Sequence, residues 1–254
     1  MVRSPSFLIV SKLVFLRQPH PLSQNWGPVQ RHSQSLWTEE ARKHINEALV
    51  SYPNFEDWRQ RNSVFADLAF STAGAATISG TDVPERIDIA GCSTNFFSVF
   101  GVSSVLGRVF SPSEFEGRQS VALISYSLWQ RRFGGESDAV GKSIRIDEGN
   151  ATVIGILPPS FTFPSATTDL WQPLSAERNW TEVRAERQRP LGVVIGRLRP
   201  GISLSEAQAN MNVIGPQLAR QHPELTNNPD FAGFHVRVIS LADQIAGPTV
   251  RTQL

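Results

Sequence analysis

The sequence predicts an α+β fold of mixed sheets and short helices. Three observations carry this. Strand-length and helix-length patterns alternate irregularly from Ser51 onward, a β-hairpin pattern lies within Ser143 to Leu157, and nothing repeats at a solenoid period. A doubly wound parallel sheet would show regular alternation without a hairpin. At 254 residues the chain holds one large domain or two modest ones, and either buries a proper core.

Residues 1–48 differ from the rest. They are rich in Ser, Gln, Pro and His, lack a clear strand alternation, and hold only a loose helical pattern over Thr38 to Leu49, so poor order is expected there. Beyond them, Pro53 suits the first turn of a helix, with Phe55, Trp58 and Asn62 on successive turns. Ser63 can cap a second short turn carrying Phe65 and Leu68, and Ala69 to Gly80 reads as a strand ending in a turn. In Val83 to Gly91, Ile87 and Ile89 share one face and Arg86 and Asp88 the other, as in a strand with one wet side. Ser93 or Thr94 then caps a short helix holding Phe96, Phe97 and Phe100, which Gly101 closes. Gly107 to Pro112 is turn-rich.

Residues 119–157 are the most informative stretch. Val121 to Ile124 has strand length, and Ser125 stands where an N-cap satisfies free amides. Tyr126, Trp129 and Phe133 fall on one helical face, Arg131 and Arg132 turn largely away, and Gly134-Gly135 stops the helix. Ser143 to Asp147 alternates as a half-buried strand, Glu148-Gly149-Asn150 is a turn, and Ala151 to Leu157 is the expected central strand, ended by Pro158-Pro159.

Further on, Asp169 to Leu174 reads as an edge strand, because proline is poorly tolerated inside a sheet. Trp180 to Arg189 is charged and irregular, as in a solvated loop or exposed helix. Gly192 to Leu198 is a strand, and Arg199-Pro200-Gly201 a turn. Ser203 and Glu206 have capping-box spacing for a helix whose stripe is Ala207, Met211, Ile214 and Leu218, with Pro216 expected to kink or break it. Phe234, Val236 and Val238 alternate in a last strand.

The chemistry is sparse. A net charge of +1 without a basic run gives no footprint for nucleic acid. The one cysteine, Cys92, excludes intrachain disulfides and multi-cysteine metal sites, and reads as a small apolar residue near a strand end. No apolar run approaches the roughly 20 residues that cross a bilayer; Phe7 to Leu16 is too short and is interrupted by Ser11 and Lys12. No serine has nucleophile-elbow spacing, and phosphate-loop patterns are missing: Gly141-Lys142-Ser143 lacks its upstream glycine, which falls on Glu136, and precedes a strand. His20, His32, His44, His222 and His235 are scattered, with no second ligand at helical or strand spacing. Glu39-Glu40 and Glu114 with Glu116 read as charged turns, and the aromatic groups as core. The expected catalytic, cofactor-binding and metal residues are therefore none, and a binding site is unknown.

Five motifs then occur in register. They are Ser51 to Arg59 (SYPNFEDWR), Asn95 to Val102 (NFFSVFGV), Leu106 to Phe110 (LGRVF), residues 119–157, and Gly196 to Ile202 (GRLRPGI). Together they resemble the periplasmic core domain of MacB-type ABC transporter permeases, grouped with the FtsX-like permeases, in the manner of the large duplicated permeases typical of acidobacteria. The resemblance covers residues 49–245 and implies two subdomains, one porter-like and one smaller and inserted. It implies no catalytic residue and no cofactor. It also implies a place at the periplasmic face of the bacterial inner membrane, between the first and second transmembrane helices of a permease. The partners it implies are that transmembrane part, a cytoplasmic ABC ATPase and a periplasmic protein, with a homodimer or pseudo-dimer in the full system. The expected function is efflux by mechanotransmission, the domain relaying conformational change. Residues 1–48 replace the expected first helix and residues 246–254 lead toward the second, so the chain is expected to be a fragment. Alternatives are a stand-alone secreted binding module and a hydrolase with an unrecognised site.

Overall fold

The structure, a computed structural model, describes residues 13–17, 49–80, 83–225 and 236–242. In chain order the first elements are β1 (Leu13–Arg17), α1 (Tyr52–Arg61), β2 (Phe65–Ser71), β3 (Gly74–Ser79), β4 (Glu85–Cys92), α2 (Phe96–Phe100), β5 (Leu106–Gly107), α3 (Pro112–Glu116) and β6 (Val121–Ile124). There follow α4 (Tyr126–Phe133), β7 (Ser143–Ile146), β8 (Gly149–Ile156), β9 (Thr168–Pro173), α5 (Trp180–Val183), β10 (Val193–Leu198), α6 (Leu204–Gln221) and β11 (Arg237–Ser240). The α+β class with mixed pairing is as expected. The described residues divide into two units: residues 71–180, and a unit formed by residues 13–17, 49–70, 181–225 and 236–242.

The second of these carries strands in the order β11-β1-β10-β2 beside α1 and α6. β1 lies antiparallel between β10 and β11, so part of the segment expected to lack strand structure forms one. Phe234 and the remainder of 1–48 lie outside the described residues. Pro53 occupies the first turn of α1, whose Asn54, Phe55 and Trp58 point inward. Asn62 ends it: its side-chain amide donates to the carbonyls of Trp58 and Arg59, both at 2.9 Å, and its carbonyl oxygen accepts from Phe65 N at 3.0 Å. That turn feeds directly into β2 and overturns the expected helical turn through Phe65 and Leu68. The misreading has a cause: Leu68, Ala69, Phe70 and Ser71 are all buried, so β2 shows no two-residue period. The capping box of α6 forms as expected, Ser203 Oγ accepting from Glu206 N at 3.2 Å while Glu206 accepts from Ser203 N at 2.8 Å. The helix runs through Pro216 unbroken to Gln221, its last turns held by Ile214 and Leu218 against the core.

In residues 71–180 the strands close into a ring, β4-β3-β7-β8-β6-β9, with β9 returning to β4. β4–β9 and β6–β8 pair in parallel, and the other seams are antiparallel. Every strand of this small barrel sends a side chain inward: Ile78, Ile87, Ala122, Ile124, Ile144, Ala151, Val153, Ile156 and Leu170 form one core with Leu128 and Ala139. Leu123 and Trp171 face away from it, Trp171 onto Phe161 at 5.7 Å, and Phe161 joins Phe96, Phe97, Phe100 and Phe163 in a second aromatic cluster. β8 is central, as expected, flanked by β7, β6 and β5.

β9 is no edge strand. It is paired on both sides, and Pro173 is tolerated because it is the last residue, opposite Cys92. The hairpin turn sits one residue earlier than expected. Ile146 pairs with Gly149, leaving Asp147-Glu148 as the loop, with Asp147 at φ 49°. On α4, Ser125 caps by accepting from Leu128 N at 3.0 Å, and Gly134 closes at φ 63°. The buried anchor is Leu128, however; Trp129 and Phe133 pack partly against the core and Tyr126 is 37% exposed. The N-cap position of α2 is Asn95, whose side chain accepts from Ser93 Oγ at 2.8 Å. Where only a turn was expected, Ser111 opens the short helix α3.

Candidate functional site

Charge placed away from water must be paired, so buried acids locate where the fold holds side chains hardest. Among the described residues Glu114, at 3% exposure, is the most enclosed acid. α3 presents it, and Arg108 grips both oxygens, at 2.9 Å and 2.6 Å, while Ser111 donates from its backbone N and its Oγ, each at 2.8 Å. Above all the Arg108 guanidinium holds the carboxyl down to about 2. Arg108 itself stands at the end of β5, where Gly107 meets Gly155 of β8. A side chain at Gly107, whose φ is +73°, would strike Ile154 O at 2.2 Å.

A second cluster crosses the β4–β9 seam of the barrel. Arg131, from α4, donates Nε to Glu85 on β4 at 2.7 Å and forms an ion pair with Asp169 on β9. Asp169 also accepts from Ser125 Oγ at 2.7 Å and Ser127 Oγ at 3.3 Å. Burial works against the Arg131 charge, but the hydrogen bonds of Asp169 and Glu85 outweigh it and raise its proton affinity. In the other unit Asp57 of α1 takes Arg187 at 2.7 Å and Arg61 at 3.1 Å, and Arg187 also donates to Asn54 at 2.7 Å. Trp180 to Arg189 is therefore not simply solvated: Arg187 is tied down and Val183 is buried. These arrangements fix shape. They pair each inward acid with arginine.

The residues weighed for chemistry fall apart in space. Lys142 pairs with Asp138 at 2.7 Å on the surface. His222 ends α6 beside Glu224 at 3.2 Å, while His20, His32, His44, His235 and Glu39-Glu40 lie outside the described residues. Glu116 is exposed, unlike Glu114. Cys92 is a buried free thiol at the end of β4, and burial pushes its thiol pKa up. Among the described residues no three His, Cys, Asp or Glu side chains form a metal-binding group, and no helix is long and apolar enough to cross a membrane. Sequence reasoning missed the Arg131 and Arg187 clusters, whose partners are distant along the chain. The Ser111–Glu114 spacing of a capping box was the one available signal for Glu114.

The family model described as the MacB-like periplasmic core domain matches residues 13–214. The pyoverdine export ATP-binding/permease protein PvdT of Pseudomonas syringae pv. syringae is 35% identical over 69 residues, covering 27% of this chain and 10% of that protein. The macrolide export ATP-binding/permease protein MacB of Shigella dysenteriae is 25% identical over 132 residues, covering 50% of this chain and 20% of that protein. The chain thus spans a tenth to a fifth of the length of these relatives. In fold it is similar to the periplasmic region of MacB from Actinobacillus actinomycetemcomitans (TM-score 0.63, 12% identity, 96% of this chain and 94% of that one). A domain of a permease protein from Porphyromonas gingivalis is alike to the same degree (TM-score 0.63, 13% identity, 94% and 92%).

Proposed function

Because the chain belongs to the MacB-like periplasmic core domain family, we propose that it is the non-catalytic relay of an export permease, changing conformation with the transmembrane segments of its system. The observation that carries this is the family match across residues 13–214, which takes in sequence from both units. The named relatives are export proteins that join ATP-binding and permease parts. By that likeness the domain works at the periplasmic face of the inner membrane, together with transmembrane helices and a cytoplasmic ATPase, as a homodimer or pseudo-dimer, and meets a periplasmic protein. The core domain then takes in β1 as well as residues 49–245, since β1 pairs with β10 and β11. Paired acids and a closed barrel support the reading, since a relay must transmit displacement without deforming, and it needs two states with different contacts.

The test is site-directed photocrosslinking in a permease–ATPase assembly carrying this domain, with probes at exposed positions such as Glu116 and Gln217. Crosslinks to the permease or a periplasmic protein that change between nucleotide-free and ATP-bound states are expected. A domain that crosslinks to neither in any state is not a relay.

A further inference from the structure

The outer edge of a sheet offers backbone donors and acceptors to any extended chain, so the way an edge is closed shows what the fold keeps out. Among the described residues β11 is the outermost strand of its sheet, with β1 on its inner side. Arg237 stands opposite Arg17, Val238 opposite Leu16 and Ile239 opposite Phe15. Along an antiparallel pair, successive residues turn their N–H and C=O alternately toward the neighbour and away from it. Val238 turns away. Its N–H donates at 2.8 Å to Gln208 Oε1, a side chain of α6, and Gln208 Nε2 donates at 2.6 Å to Val236 O.

These two bonds have a recognisable form. A residue of a parallel strand donates its N–H to the carbonyl just before its partner and accepts at its C=O from the N–H just after it. With Arg237 as the partner, the Gln208 carboxamide does both. One side chain thus stands where a residue of one more strand would stand. Its orientation is set as well, because Nε2 also donates to Asn212 Oδ1 at 2.8 Å, one turn along α6. Turning the amide over would set its oxygen against two acceptors. Val236 is wholly shielded from water, so its carbonyl needs a donor from the protein.

We propose that Gln208 plugs the outer edge of β11 and stops a second copy of this chain from adding there, strand to strand. The edge is otherwise suited to itself. Paired antiparallel about Val238, two copies would exchange the N–H and C=O of that residue reciprocally, as a two-fold contact requires. Each Arg237 would then stand opposite Ile239 of the other copy, so no like charges would meet directly across the seam. Gln208 forbids this by occupying the Val238 N–H. The inference rests on the sheet edge alone and is independent of the relay reading.

Gln208→Met and Gln208→Ala remove both bonds yet keep a good helix former on α6, so either variant decides the matter if the other does not fold. In sedimentation velocity across a range of concentrations, both should self-associate at least about tenfold more tightly than the native chain. Exchange of the Val238 amide should be faster than native in dilute variant and slow again as the variant associates, a return that the loss of a merely structural contact does not produce. Adding Val238→Pro removes the outward N–H and no bond to β1, and should abolish the extra association. Variants that sediment like the native chain at every concentration, or association that survives Val238→Pro, overturn the proposal.

Discussion

Arg108 and Glu114 meet through two parallel hydrogen bonds, 2.9 Å and 2.6 Å long, around a carboxylate almost wholly shielded from water. With Ser111 adding two donors, the group titrates near 2 in place of its ordinary 4.5. Its folded-state pKa is depressed, so the stability it contributes is complete above the ordinary value and disappears as pH falls through 4.5 toward 2. Arg108 is more than half exposed, which moderates the gain to roughly 2–3 kcal/mol. Urea unfolding at pH 7 and pH 3 should show that loss in the native chain. Glu114→Gln should be less stable at pH 7 and lose less on acidification.

The seam between β4 and β9 gives the second expectation. Arg131→Met removes a bridge from α4 to both strands and should cost about 1–2 kcal/mol. Amide hydrogen exchange should quicken along Asp88–Cys92 and Thr168–Gln172 more than in the hairpin β7–β8. By contrast Arg178→Ala, whose pair with Glu148 is 79% and 77% exposed, should leave stability unchanged within error.

Glycine substitutions should separate by what the added carbon meets. Gly155→Ala places a Cβ 2.4 Å from Arg108 O, backbone that cannot yield cheaply, and should destabilise by at least about 2–3 kcal/mol. Gly80→Ala meets nothing within 4 Å and should be near neutral. Thermal unfolding of the two variants checks the ranking.

On α4, Leu128→Ala should cost about 2–5 kcal/mol, because Leu128 is wholly enclosed among the barrel core residues. Tyr126→Ala, at a partly exposed position, should cost under about 1 kcal/mol. Chemical denaturation of both variants distinguishes the observed buried face from one centred on Tyr126.

These positions also explain what could be read from the sequence. Caps and stops are local, so Ser125, Gly134 and the Ser203–Glu206 box were legible from a few residues. β10 and β8 were legible as apolar runs of strand length. β2 was not, because burial on both faces erased its period and left the Phe65–Leu68 spacing to suggest a helix. Closure of the barrel was hidden for a different reason. The parallel β4–β9 seam joins Asp88 to Thr168, and no local pattern encodes such a partner. The same holds for the charged clusters: Arg131 and Asp169, or Arg187 and Asp57, become neighbours only in the fold. Family membership was legible because its motifs recur in order, whatever their tertiary contacts.

The most direct test of the relay is a distance measured under turnover conditions. With spin labels on Glu116→Cys and Gln217→Cys in a reconstituted permease–ATPase assembly carrying this domain, the distribution should shift between the nucleotide-free and the ATP–vanadate-trapped states. Identical distributions in both states, in an assembly that hydrolyses ATP, would contradict the account.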